Sequence, residues 1–434
     1  MSGCAHSGID RPFACLCRVV LFFSHHRVAL SSMKPLEHIT ILDLSRVLAC
    51  PFASMILAEL GAQVIKVEQP GQGDETRSFE PFVEPLPGVE AAPESAYYFA
   101  FNRSKQSITV NLRSPEGQAV VRDLASRVDV VVENFPTGTL ARYGLDAASL
   151  RALNTRLVHV SCTGFGETGP YAHRKGYDTV FQAMAGLMSL TGERGGGPVK
   201  PGLPVADLTS GLWVAIGILA ALAGRARQGQ GCHIDFSMID GQVSLLTLAA
   251  ARYFALGEVP ERLGTEHPGR VPSASFCCAD AQWLHITASD QHWMGLCRVL
   301  GIEGWGSAPG LAGNSDRVRR RDEVMRMLSA AIAGRTRDEL CAALDAADVP
   351  AGPIRSVDEV FADPHTRARG MVQSFEHPVV GAFRALPLPY KFDGWDNPAV
   401  ARPPLLGEHT DSVLRERLGY DDARIEALKK AKAI

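Results

Sequence analysis

The sequence predicts an α/β fold with a mostly parallel sheet covered by helices on both faces. Two observations carry this reading. From Met33 onward, strand-like and helix-like segments alternate. Helix-opening signals also fall between the strands, with Pro51 in the first turn of one helix and Ser114-Pro-Glu-Gly opening another.

Taken in order, His38-Ile-Thr-Ile-Leu-Asp-Leu-Ser45 reads as a buried strand and Pro51 to Leu60 as a helix. Gln63-Val-Ile-Lys-Val-Glu68 is a second strand and Ser107-Ile-Thr-Val-Asn-Leu112 a third. Val128 to Glu133 and Leu157 to Ser161 continue the series. Long apolar helices are expected over Val180 to Leu190, Leu208 to Gly224 and Ser237 to Ala255. The Gly-, Pro- and His-rich tract from Arg262 to Ser275 marks a boundary. Phe276 to Ile354 then reads as a smaller α+β unit with a strand at Trp283-Leu-His-Ile-Thr287 and turn chemistry at Pro350-Ala-Gly-Pro353. A loose stretch from Phe375 to Ala401 leads to a short charged helix at the end.

The 434 residues suffice for roughly two or three domains and a large core. Hydrophobic residues make up 46% and charged residues 21%. A formal net charge of -3 argues against a nucleic-acid partner. No uninterrupted apolar run reads as long enough to span a bilayer, so no membrane partner is expected. The 10 cysteines are scattered, without Cys-x-x-Cys spacing. Free thiols in a reducing compartment are expected, the cytoplasm or, in a eukaryote, the mitochondrial matrix. Residues 1–32 do not conform to the rest. They read as a targeting peptide or, as favoured here, an over-long start with Met33 as initiator. Cys15, Cys17, His25 and His26 lack a complete ligand set, and no metal site is expected.

The turn after the first strand, Ser45-Arg-Val-Leu-Ala-Cys-Pro51, lacks the Gly-x-Gly-x-x-Gly spacing that admits a pyrophosphate, which removes the support for a dinucleotide site. Three clusters lie where strands end or helices begin: Arg46 to Pro51, Val132-Glu-Asn-Phe135 with Arg142, and Lys175-Gly-Tyr-Asp178. With Arg113 they supply cations for a phosphate cradle. Singly, each is an ordinary surface charge. Pro204-Val-Ala-Asp-Leu-Thr-Ser-Gly211 sets Asp207 at the start of a long apolar segment. By itself this is an ordinary helix N-cap. Alternatively, the helix terminus keeps the carboxylate ionised, and a shielded carboxylate serves as a nucleophile.

From Met33 to its end, the chain resembles the class III CoA-transferases, the family that includes formyl-CoA transferase, carnitine CoA-transferase and the 2-methylacyl-CoA racemases. The blocks that carry the resemblance are Leu42 to Ala49, Gly61 to Glu68, Asn102 to Ser107, Val132 to Phe135, Ala206-Asp-Leu208 and Pro404 to Thr410. The resemblance implies an interlocked homodimer. Its large Rossmann-like domain would be built from both chain ends, residues 33–240 and 401–434. A linker helix over 241–262, a small domain over 263–360 and a return linker over 361–400 would lie between. It implies Asp207 as the nucleophile, with CoA thioesters as substrates and no permanently bound cofactor. Val47, Leu48 and Ala49 would line the CoA path. Arg113, Asn134, Phe135, Arg142, Lys175, Tyr177 and Asp178 would contact CoA or border the reacting carbonyl. The chain departs from its relatives at Cys50 (commonly Gly), at Gln69 (often Arg) and in the less glycine-rich tract Gly264 to Arg270.

Transfer of CoA between carboxylic acids is therefore expected, through aspartyl anhydride and aspartyl-CoA intermediates. Met33-Lys-Pro-Leu-Glu37, Arg46 to Ala49 and Pro403 to Thr410 look most like transferases that use succinyl-CoA with glutarate or similar dicarboxylates. Arg46 or Arg270 would hold the distal carboxylate, or either is equally an ordinary surface charge. Two alternatives are a 2-methylacyl-CoA racemase and a non-catalytic CoA-binding protein. Racemase relatives carry His where this chain has Tyr177, a poor base near neutral pH. A non-catalytic relative would be expected to have lost Asp207.

Overall fold

The structure, a computed structural model, describes residues 34–434. The segment 1–32, with Cys15, Cys17, His25 and His26, lies outside the described residues. The first half runs β1 (Thr40–Asp43), α1 (Ala49–Glu59), β2 (Gln63–Glu68), α2 (Ala96–Asn102), β3 (Gln106–Thr109), α3 (Pro115–Ala125), β4 (Val130–Glu133), β5 (Val158–Thr163), α4 (Asp178–Met184), α5 (Val205–Gln228), β6 (His233–Ser237) and α6 (Met238–Val243). The six strands form one sheet in the order β3-β2-β1-β4-β5-β6, every neighbouring pair parallel. This is the order of doubly wound α/β sheets, and it reverses between β1 and β4.

Alternation along the strands separates two cores. Ile41, Val130, Val132, Val158 and Val160 face α1 and α5. Leu42, Val131, Ile65 and Ile108 face the other way. There they meet Val120 and Leu124 of α3 and, from the far end of the chain, Val413, Leu414, Ile425 and Leu428. A third core gathers around Trp293, beside a sheet of β7 (Ser273–Cys277), β8 (Trp283–Thr287) and β9 (Ala351–Pro353).

Several elements depart from the sequence reading. The helix expected over Val180 to Leu190 breaks at Gly186, whose φ of 89° no helix accommodates. The one expected over Ser237 to Ala255 is three pieces: α6, a 3₁₀ turn and a helix over Thr247–Leu256. Strand β6 and helix α2 were not foreseen. The turn expected at Pro350 to Pro353 supplies edge strand β9, where a terminal proline is tolerated. The loose stretch after Phe375 holds part of a hairpin, β10 (Gln373–His377) and β11 (Gly381–Ala385). Helix α5 is long and apolar enough to cross a bilayer by composition, which corrects the expectation that no segment reaches that length. In the fold, one side of it, Ala206, Val214, Ala215 and Ile218, packs into the core beside α1.

The approach of α1 to α5 depends on Gly211. A Cβ there would stand 2.6 Å from the Ala49 carbonyl oxygen and 2.8 Å from Phe52 Cδ1. Gly211→Ala is therefore expected to push the helices apart and cost about 1–3 kcal/mol. Urea denaturation of the variant checks this, and an unchanged midpoint contradicts it.

Candidate active site

The carboxyl ends of β1 and β4 flank the point where the strand order reverses, the usual crevice for ligands. The two loops are tied together there. The Arg46 backbone N–H donates to Asn134 Oδ1 at 2.9 Å, and Asn134 Nδ2 donates to the Arg46 carbonyl at 2.8 Å. The Arg46 guanidinium lies 4.9 Å above the Phe135 ring and pairs with Glu75 at 2.9 Å. Val47 follows with φ of 70°, a strained conformation for a β-branched residue.

Buried charge holds that strain in place. The Val47 N–H points at both Asp74 oxygens, 3.3 Å from each. Asp74 pairs with Lys66 at 2.8 Å, both side chains fully buried, and Lys66 Nζ also donates to the Ser45 carbonyl at 3.0 Å. Alongside, Lys105 pairs with Asp43 at 3.0 Å, and Asp43 accepts further bonds from Ser45 and from Ser54, the latter at 2.6 Å. Burial pushes the Asp43 carboxyl up, but Lys105, Lys66 and the serine hydroxyls more than offset this and leave it at about 2. Burial lowers Lys105 to about 8, with Asp43 opposing. The two values straddle neutrality, so the pair is ionised there.

Leu48 and Ala49 are buried as whole residues, so the expectation that they line a ligand path is met in this chain only by the half-buried Val47 beside them. Arg113, Arg142 and Lys175 are exposed after β3, β4 and β5, and none makes an ion pair among the described residues. Tyr177 is 81% exposed. Its loop is anchored by Phe181 of α4. A Cβ at Gly164 or Gly176 would stand 2.6 or 2.5 Å from the Phe181 ring, so the ring sits in a slot between two glycines.

Asp207 is the third residue of α5 and is half-buried. It is not the N-cap. Pro204 holds that position and makes no side-chain cap bond. The cap comes from Asp178 at the start of α4: its Oδ1 accepts the backbone N–H of Ala206 at 2.9 Å and of Asp207 at 3.2 Å. Asp178 Oδ2 in turn accepts from Gln182 Nε2 at 2.6 Å. The expectation that the helix terminus keeps Asp207 ionised needs correction. Burial first, and the Asp178 carboxylate second, push its carboxyl up to about 7.

Tyr97, on α2, was missed in the sequence. Burial first, and then the carboxylates of Asp207, Asp178 and Asp74, push its hydroxyl up. The available signal was Ser95, whose hydroxyl caps the aromatic helix by accepting the Tyr98 N–H at 3.2 Å. Among the described residues, no group of three or more His, Cys, Asp or Glu side chains is arranged to hold a metal.

Asp207 thus lies in the first turn of α5, and the exposed cations Arg113, Arg142 and Lys175 follow three strands of the parallel sheet. Residues 36–410 match the model of CoA-transferase family III. The chain is 38% identical to the succinyl-CoA:glutarate CoA-transferase of Mus musculus, over 92% of this chain and 89% of that one. It is 41% identical to the succinate–glutarate CoA-transferase of Agrobacterium fabrum, over 88% and 95%. A crystal structure of a CAIB/BAIF family protein from Brucella suis superimposes with a TM-score of 0.79 at 40% identity, covering 88% of this chain and 99% of that one. The chain belongs to CoA-transferase family III. It is an enzyme of the acyl-CoA:carboxylate CoA-transferase class.

The raised affinity of Asp207 for its proton has a cost in stability. Its folded value lies above the unfolded one, so ionisation opposes folding. Stability falls as pH rises from about 4 to about 7 and then levels off. Asp207→Asn should be more stable than the wild type at pH 8 by about 1–3 kcal/mol, a full shift discounted for residual solvent contact. Near pH 4 the difference should vanish. Denaturation curves at the two pH values test this.

Proposed function

We propose that this enzyme moves CoA from succinyl-CoA to a dicarboxylate such as glutarate through covalent intermediates on Asp207. The observation that carries the mechanism is a half-buried carboxyl in the first turn of α5, with its own backbone N–H capped from outside. The names of the relatives support the substrates.

In the first step the Asp207 carboxylate attacks the thioester carbonyl, and the C–S bond breaks to give an aspartyl anhydride and CoA thiolate. The thiolate then attacks the aspartyl carbonyl, releasing the donor acid and leaving aspartyl-CoA. The acceptor carboxylate attacks that thioester, forming a second anhydride and freeing the thiolate again. Attack of the thiolate on the acceptor's acyl carbon yields the new acyl-CoA and restores the Asp207 carboxylate. Water must be kept out, because the anhydrides hydrolyse. Arg113, Arg142 and Lys175 would hold phosphates. Val47, with Asn134, Phe135, Tyr177 and Asp178, would line the path of CoA.

Asp207→Ala should abolish exchange between succinyl-CoA and glutarate, read by mass spectrometry of the CoA esters. Hydroxylamine added to the wild type with succinyl-CoA should leave a hydroxamate at Asp207. Exchange that persists in the variant removes the covalent route. Because the anion is the nucleophile and its value is about 7, the first half-reaction should quicken roughly tenfold between about pH 6 and about pH 8. A flat profile contradicts this assignment.

An interlocked homodimer is part of the proposal. Leu212, Trp213, Ile216 and Leu219 of α5, with Leu248, Phe254 and Leu256, are exposed large hydrophobics that a second copy would cover. Sedimentation equilibrium should give twice the chain mass, and a monomer at micromolar concentration contradicts it.

A further inference from the structure

We infer that Gln182 is a positioning residue for CoA transfer: it holds Asp178 in the orientation that caps the helix bearing Asp207. The inference rests on the transfer reading above. Helix α5 opens without a side-chain cap of its own, so the N–H groups of Ala206 and Asp207 depend on one oxygen of Asp178. Turning that carboxylate about its terminal bond would break both bonds at once. The other oxygen is held by Gln182 Nε2 at 2.6 Å. The two residues are four apart on α4, one above the other on the same helix face.

Gln182 has no other evident purpose. Its side chain is fully buried, and its amide oxygen has no hydrogen-bond partner. The amide cannot be reversed, because a carboxylate only accepts and so requires the NH₂ end. An apolar side chain of the same size would fill the space without burying an unpaired carbonyl. The side chain is therefore placed for its one bond to Asp178. The titratable groups close enough to interact electrostatically are Tyr97 of α2, which feels both carboxylates of the pair, and Asp74, which acts on Tyr97. Neither donates a hydrogen bond to Asp178, which leaves Gln182 as the side chain that fixes its rotation.

Gln182→Leu and Gln182→Met separate positioning from folding. Both variants should melt at or above the wild-type temperature. For succinyl-CoA their kcat should fall by roughly 10- to 100-fold, with KM within about threefold, because a misplaced nucleophile affects the transition state more than binding. Independently of activity, backbone amide exchange in the peptide that contains Ala206 and Asp207 should quicken about tenfold or more. Unchanged exchange in the folded variants overturns the capping role. Faster exchange with wild-type kcat overturns its importance to the reaction. If the wild type transfers CoA to no acid, the transfer reading fails, and the exchange measurement still decides the cap.

Discussion

Two lysines buried among carboxylates hold the front edge of the sheet in shape. Lys66 and Lys105 each lie under the β1 loop with an acid partner within 3.0 Å, and no side chain in either pair reaches solvent. Desolvating such charges is expensive, and removing one partner of a buried pair typically costs about 3–5 kcal/mol. What the arrangement secures is local geometry. It fixes Asp74, Asp74 fixes the Val47 amide, and the backbone at Val47 stays left-handed where a valine left alone would relax. The loop after β1 is thus set from beneath by buried charge at Val47 and by the apolar core at Ala49 and Cys50.

Asp178 does two things that pull in opposite directions. As a cap it completes the first turn of α5 and so places Asp207. As a second carboxylate it makes that residue harder to ionise. A site built for stability alone would carry a neutral cap such as Ser or Asn. The choice of an acid leaves the folded protein less comfortable at neutral pH than it need be, the common relation between stability and catalysis.

Much of this was legible in the residues, and what escaped shares a cause. Strands β2 and β8 end where their apolar runs end, because burial on the sheet selects those residues directly. Asp207 stood out through its motif. Its partner's role did not, since the bond from Asp178 spans 29 positions and depends on how two helices meet. Lys66 was readable in hindsight, as a lysine inside Val-Ile-Lys-Val has nowhere wet to go. Strand β6 reads His-Ile-Asp-Phe-Ser, a clean alternation too short and polar to stand out beside the longer apolar segments. Helix α2, and with it Tyr97, hid in an aromatic run that has no helical period of its own.

The slot that grips Phe181 has a mechanical side. Gly164 and Gly176 close on the same ring from the two ends of one loop, like the feet of a bucket handle on its pin. Phe181 also lies on the helix between Asp178 and Gln182. That handle carries Lys175, so the loop and the turn of α4 that caps α5 are anchored on one aromatic ring.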